Sequence, residues 1–338
     1  MDKSAQRSVL VMGGLGRFGH AAVRSFAAQG WRVLAQVRPT ARVEACAGVE
    51  WLRIAPDDTA ALVAAAAPAS VVVHALNPPY TAWETQALPL LDASLRVAGQ
   101  LGARLMLPGN VYNFGTTMPA LLDENTQQRA DTRKGRIRVL MEQRLQQQAQ
   151  AAGIASAVVR AGDFFGNGRG SWFDLAVVKN IRRGKMTYPG TMDVPTPWAY
   201  LPDLASAFVR LADKLQQQAA RGSLFDVFHF QGHALTGRQW ATLLSDVAID
   251  QGWIDPDQDL VTGSLPWPMI KAGGLLLPAW RELIEMRYLW QTPHAMEGAK
   301  LAAMIGPEPR TPLTSAVRDA LCSLGLIGVS ACAARAWA

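Results

Sequence analysis

A short apolar run, three spaced glycines and the start of an amphipathic run follow one another at 8–20, SVLVMGGLGRFGH. The apolar residues 9–12 predict a buried strand, and 17–29 predicts a helix that Gly30 stops. Between them Gly14, Gly16 and Gly19 satisfy G-x-G-x-x-G, while Gly13, Gly16 and Gly19 satisfy G-x-x-G-x-x-G. Both spacings serve one purpose. Glycine permits the tight turn and lets backbone approach a pyrophosphate, and the following helix aims free N–H groups and a positive dipole end at it. A purely structural turn could use the same glycines. The strand before and the helix after favour dinucleotide binding by Gly13, Leu15, Gly16, Arg17, Phe18 and Gly19.

The alternation continues. Strands are expected over 31–37, 49–54, 70–76, 104–107 and 155–160, and helices over 59–67, 82–99 (with Pro89 as a kink) and 133–152. Strands alternating with helices imply an α/β fold, a Rossmann-type doubly wound parallel sheet with helices on both faces. Beyond Gly166 prolines and tryptophans become frequent. We therefore expect a dinucleotide-binding domain over 1–165. The remainder, 166–338, would be mainly a small C-terminal substrate lobe interleaved with the last sheet strands.

Composition excludes several classes. Charged residues make up 18% of the 338, too few for a disordered or nucleic-acid-coating chain, and the net charge of +6 forms no basic tail. Cys46, Cys322 and Cys332 form no C-x-x-C pair and no disulfide framework, which suits a reducing, cytoplasmic location. The first apolar run is too short for a signal peptide, and prolines break 263–280, so no membrane span is expected. His229 and His233 lack the Glu of a zinc motif, and no metal site is expected. The expected partner is a small molecule, with no nucleic acid and no membrane, and a homodimer is compatible.

The end of the second strand selects the cofactor. An NAD site usually places a carboxylate there for the ribose hydroxyls. Here the chain reads Gln36-Val37-Arg38-Pro39, with Arg42 nearby and Arg17 inside the loop. Guanidiniums in place of a carboxylate favour NADP, with NAD the weaker alternative.

Further segments carry a resemblance. His74-Ala75-Leu76-Asn77-Pro78 follows the fourth strand, and Leu107-Pro108-Gly109-Asn110-Val111-Tyr112 follows the fifth. Val159-Arg160-Ala161-Gly162-Asp163-Phe164-Phe165-Gly166, Tyr200-Leu201-Pro202-Asp203-Leu204-Ala205 and Lys300 to Pro309 come later. In this order, with the glycine loop, they resemble the extended short-chain dehydrogenase/reductase family of NAD(P)-dependent epimerases and dehydratases, over nearly the whole chain. The resemblance implies cofactor contacts at Leu76, Asn77 and Asp163. It also implies an adenine contact at Asp57 or Asp58.

The family's chemistry rests on Tyr-x-x-x-Lys plus Ser. The Lys lowers the Tyr pKa and holds the nicotinamide ribose, and the Tyr carries the proton. None of the five tyrosines here has Lys four residues later. The resemblance puts Lys134 at the lysine position, Ala130 at the tyrosine position and Pro108 at the serine position. Lys134 would then anchor the ribose, with Tyr112 and Asn110 the nearest replacements for the missing acid. Thr196 stands where relatives that act on nucleotide sugars carry a diphosphate-gripping Arg. The Trp-rich second lobe suits an apolar or aromatic carbonyl or alcohol, unless those tryptophans are core. Three functions stay open: an atypical NADP-dependent oxidoreductase or epimerase, a non-catalytic NADP-binding sensor of the NmrA-like kind, and a nucleotide-sugar epimerase/dehydratase.

Overall fold

The computed structural model describes residues 7–218 and 223–328; Cys332 lies outside the described residues. The chain begins with β1 (Ser8–Met12), α1 (Arg17–Ala28), β2 (Arg32–Val37), β3 (Val49–Arg53), α2 (Thr59–Ala65), β4 (Val71–His74), α3 (Trp83–Leu101) and β5 (Arg104–Gly109). A two-residue β6 (Leu121–Leu122) precedes α4 (Arg133–Ala152), β7 (Ser156–Arg160), β8 (Asp163–Phe165), β9 (Lys185–Tyr188) and β10 (Thr196–Tyr200). Then come α5 (Leu201–Gln217), β11 (Phe225–His229), β12 (His233–Leu235), α6 (Gly237–Asp250), β13 (Val261–Ser264), α7 (Trp267–Gly273) and α8 (Pro278–Met286).

Seven strands form one parallel sheet in the order β11-β7-β5-β4-β1-β2-β3. The order reverses between β1 and β4, which makes the C-terminal ends of those two strands the crevice where such sheets hold ligands. Every residue of β1 and β4 is buried, because helices cover both faces. α1 and α5 pack together over one face, burying Phe18, Phe26, Leu204 and Phe208. α3 and α4 cover the other, over Leu91, Leu95, Met141 and Leu145.

Two expectations are refined. The helix predicted over 82–99 runs unbroken through Pro89 from Trp83 to Leu101, ended by Gly102 at φ 62°. The strand-like stretch around His229 is the seventh strand of the main sheet, pairing with β7. The chain therefore returns from β10 through α5 to the nucleotide-binding layer before it builds α6 and the elements after it. Trp198, Trp240 and Trp290 are fully buried, Trp198 and Trp240 in one apolar cluster with Phe165, Phe173 and Leu244 and Trp290 in a separate cluster beside the cleft. Most of the tryptophan signal is therefore packing. Among the described residues, Trp83 and Trp172 are the tryptophans that reach the cleft described next.

Candidate functional site

A cleft of about 1040 Å³ opens at the C-terminal ends of β1, β2, β4 and β5. Its opposite wall comes from the connection after β7 and from residues 170–172. Of the sequence-expected residues, Gly13, Leu15, Gly16, Arg17, Phe18, Arg38, Leu76, Asn77, Asn110, Tyr112 and Asp163 line it. Gly19 and Lys134 do not.

Gly13 has φ +89°, and a Cβ there would lie 2.8 Å from the Ala75 carbonyl oxygen. A Cβ on Gly19 would stand 2.1 Å from the Gly13 oxygen, so Gly19 lets the first turn of α1 cross the end of β1 rather than facing a ligand. Gly16 caps α1 at φ −65°, where any residue fits the backbone, and it faces the cleft. The Gly13 N–H donates to Gln36 Oε1 at 3.0 Å, and Gln36 Nε2 donates to the Ile54 carbonyl at 2.7 Å. Gln36 is thus committed to holding the loop.

Arg17 donates from Nη2 to the Gly166 carbonyl at 2.9 Å, while its Nε is buried with no partner among the described residues. Burial lowers its pKa, with Asp174 acting in the opposite sense. A buried, half-satisfied guanidinium beside a helix N-terminus is what an anion would complete. The loop, the free N–H groups of α1 and Arg17 together fit a dinucleotide pyrophosphate. Arg38 stands exposed at the outer rim beside Thr40, Ala41 and Pro56. Arg42 does not line the cleft. The Asp58 carboxylate accepts from the Ala61 N–H at 3.1 Å and caps α2.

The floor at the end of β4 is fixed. His74 is held near pKa 3 by burial and by Arg138, and its Nδ1 meets Ser94 Oγ at 2.7 Å. Farther in, the hydroxyls of Tyr80 and Tyr112 lie 3.0 Å apart. Asn110 Oδ1 accepts the Tyr112 N–H at 3.1 Å, which sets the turn after β5. Gly135 lets α4 approach the Tyr112 carbonyl, where a Cβ would come within 2.5 Å. Burial pushes both phenols above the ordinary tyrosine range, Tyr112 farther.

Arg138 of α4 completes this end. It donates from Nη1 to the Pro108 carbonyl at 3.2 Å and lies 4.8 Å over the Trp83 ring, and its Nε is buried without a partner among the described residues. Burial lowers its pKa, and Tyr112 and Tyr80 oppose that. Lys134, one helical turn earlier, is only 2% exposed and sits behind the cleft wall, 5.2 Å over the Tyr80 ring. Its ammonium donates to Glu282 and, at 2.8 Å, to Glu285, both on α8. Lys134, expected to hold the nicotinamide ribose, does not line the cleft in this structure. The cleft opens at the level of Arg138, and Lys134 is spent on an ion-pair cluster with α8. Arg138 and Tyr80 are the residues the sequence reading missed. The available signals were the 134/138 spacing, one turn on one helix face, and the Pro78-Pro79-Tyr80 turn after β4.

Asp163 lies on the facing wall, half-buried, and accepts from Trp290 Nε1 at 2.8 Å. Burial raises its carboxyl to about 6 against the pull of that hydrogen bond. Arg182 does not line the cleft and donates to the Gly325 and Leu326 carbonyls. Among the described residues no group of three or more His, Cys, Asp or Glu is arranged to hold a metal ion. No helix among them is long and apolar enough to cross a membrane.

A parallel sheet with a glycine loop at its switch point defines a dinucleotide-binding α/β protein. The family profile described as the NAD dependent epimerase/dehydratase family matches residues 9–224, and the chain belongs to that family. No curated protein matches the sequence significantly. Among solved structures, the chain is similar to a UDP-glucose 4-epimerase from Brucella ovis in complex with NAD. Identity is 16%, coverage 95% of this chain and 99% of that one, and the TM-score 0.72. It is also similar to a UDP-glucose 4-epimerase with UDP-glucose from Thermotoga maritima, at 14% identity, 94% and 98% coverage, and TM-score 0.69. A UDP-Glc/GlcNAc 4-epimerase from Campylobacter jejuni matches at 13% identity, 95% and 98% coverage, and TM-score 0.67. At these identities the likeness concerns the fold.

Proposed function

We propose that this chain is an NADP-dependent oxidoreductase or epimerase-like enzyme acting on an apolar or aromatic carbonyl or alcohol. The observation that carries the cofactor choice is the rim of the cleft. Arg38 lines it, Gln36 is occupied with the loop, and no carboxylate stands there to repel a 2′-phosphate. In this reading the glycine loop, the α1 N-terminus and Arg17 hold the pyrophosphate, and Arg38 holds the 2′-phosphate. Leu76 and Asn77 lie along the cofactor. Bound nicotinamide supplies or accepts hydride.

The chain's own contribution to the chemistry centres on Arg138, Tyr80 and Tyr112. Arg138 takes the place of the family lysine, which puts Lys134 at the tyrosine position. It faces the nicotinamide ribose and keeps positive charge beside the phenols. Neutral Tyr112, oriented by Tyr80 and by the turn at Asn110, donates a hydrogen bond to the substrate oxygen. Trp83 and Trp172 exclude water from that end.

One observation favours a second reading, an NADP-binding protein without turnover. Both cleft tyrosines are pushed up by burial, whereas general acid–base catalysis works best with a pKa near the operating pH. The test is calorimetry with NADPH and NADH, followed by NADPH oxidation with a panel of aldehydes and ketones. NADPH should bind more tightly, and Arg38→Ala should narrow the gap by about 1.5–3 kcal/mol, the worth of a charge-assisted contact. Equal affinities in the unmutated protein refute the NADP assignment. NADPH binding without oxidation by any carbonyl supports the second reading.

A further inference from the structure

Among the described residues the cleft wall carries three guanidiniums, Arg17, Arg38 and Arg138, but a single carboxylate, Asp163. Buried or half-buried carboxylates normally sit against a cation or several N–H donors. Asp163 has one donor, the neutral indole of Trp290, and no basic side chain among the described residues lies within ion-pair distance of it. The groups whose titration feels its charge are phenols, Tyr80, Tyr112, Tyr188 and Tyr288, and phenols cannot neutralise it.

The carboxylate is also held rigidly. Its backbone is in β8, paired in register with Trp198 of β10, and Trp290 is fully buried. Trp172 packs edge-on against Trp290, with ring centroids 4.6 Å apart, and itself faces the cleft. A fixed carboxylate whose one donor is a neutral indole thus stands on the cleft wall, across from the Tyr80–Tyr112 pair. Trp172 lines the same wall, and a cation there would gain the direct charge of the carboxylate and could rest against an aromatic ring.

We propose that Asp163 is a recognition site for a cationic nitrogen on the substrate, so that the substrate is an aromatic or apolar amine carrying the reacting oxygen. The inference deepens the proposed function and rests on its placing substrate in this cleft. It also accounts for the charge layout. The anionic cofactor takes the arginine-lined part, and the substrate meets the one acidic position. An anionic substrate at Asp163 would face repulsion with no local cation to offset it.

The test uses three probes on one scaffold: phenethylamine (cation), phenethyl alcohol (neutral donor) and phenylacetate (anion). Binding is measured by calorimetry on the full chain, with and without NADPH. Phenethylamine should bind at least about tenfold more tightly than phenethyl alcohol, the size of one charge-assisted hydrogen bond, and phenylacetate should bind most weakly. The phenethylamine affinity should fall as pH drops through about 6, where Asp163 takes up a proton. Asp163→Asn should abolish both the preference and the pH dependence. The pH dependence is read in the unmutated protein, so a folding defect in the variant leaves the proposal testable. Equal or tighter binding of the alcohol or the anion overturns it, as does retention of the preference in Asp163→Asn. Failure of all three probes to bind also overturns it. Failure of NADPH to bind, with the amine preference intact, counts against the proposed function alone.

Discussion

Replacing Lys134 with methionine removes the cation from a cluster that the fold has buried. Lys134 is 2% exposed, and the side chains of Glu282 and Glu285 are 11% and 12% exposed. Taking one partner from such a pair leaves unpaired charge in a poor solvent, at a cost of about 3–5 kcal/mol. Arg133 remains, 2.8 Å from Glu282 and 3.3 Å from Glu285, but it is 40% exposed. We therefore expect the lower end, ~3 kcal/mol at neutral pH. The loss should depend on pH in a defined direction. In the native cluster burial would raise the Glu285 pKa, but the Lys134 hydrogen bond and charge outweigh burial and hold it below 4.5. That stabilisation is present above pH 4.5 and is lost as pH falls through the lowered value. In Lys134→Met burial prevails at Glu285, its carboxyl rises, and acidification relieves it, so the gap between the two proteins narrows toward pH 4.5. Urea unfolding followed by circular dichroism at neutral and acid pH reads this directly. NADPH affinity should be unchanged in Lys134→Met and reduced in Arg138→Leu. A Lys134→Met protein of undiminished stability that has lost NADPH affinity would return Lys134 to the cofactor and refute the reasoning.

Gly19→Ala should both unfold more easily, by at least about 1–3 kcal/mol for a forced backbone shift, and lose NADPH binding, because its Cβ meets the Gly13 oxygen. Gly16→Val should stay folded and lose binding alone, and normal affinity there would reduce the loop to a turn. Tyr112→Phe should keep NADPH affinity and, if the proton or hydrogen bond comes from this phenol, lower turnover by roughly 10²–10⁴-fold; unchanged turnover makes it a packing residue. Asp163 is raised from 3.8 to about 6 in the folded state, so its ionisation opposes folding above that pH and the penalty disappears as pH falls toward 3.8. Asp163→Asn should therefore be more stable than the parent at pH 8, by up to ~3 kcal/mol at 1.36 kcal/mol per unit, with the advantage gone near pH 4. An advantage equal at both pH values would mean that charge is not its source.

The local elements were legible because their signals are local. An apolar run ending at Gly13 gave β1, an apolar run between Pro68 and Pro78 gave β4, and Gly153 ended α4 where the reading put it. The glycine loop was legible for the same reason, since its spacing encodes the path of one turn. Arg38 could be read at the rim because it ends a strand whose neighbours are known from the fold class. What the sequence could not supply was the ligand-facing level of α4. Lys134 and Arg138 share a helix face, and the choice between them depends on where α8, almost 150 residues later, sets Glu282 and Glu285. Those carboxylates draw Lys134 behind the wall and leave Arg138 in the cleft. In the same way Asp163 and Trp290 are 127 positions apart, and only the packing of the chain after α8 against β8 gives the carboxylate its indole and its raised pKa. Periodicity and turn chemistry act over a few residues and are written into the chain, whereas the environment of a charge is the sum of everything packed around it.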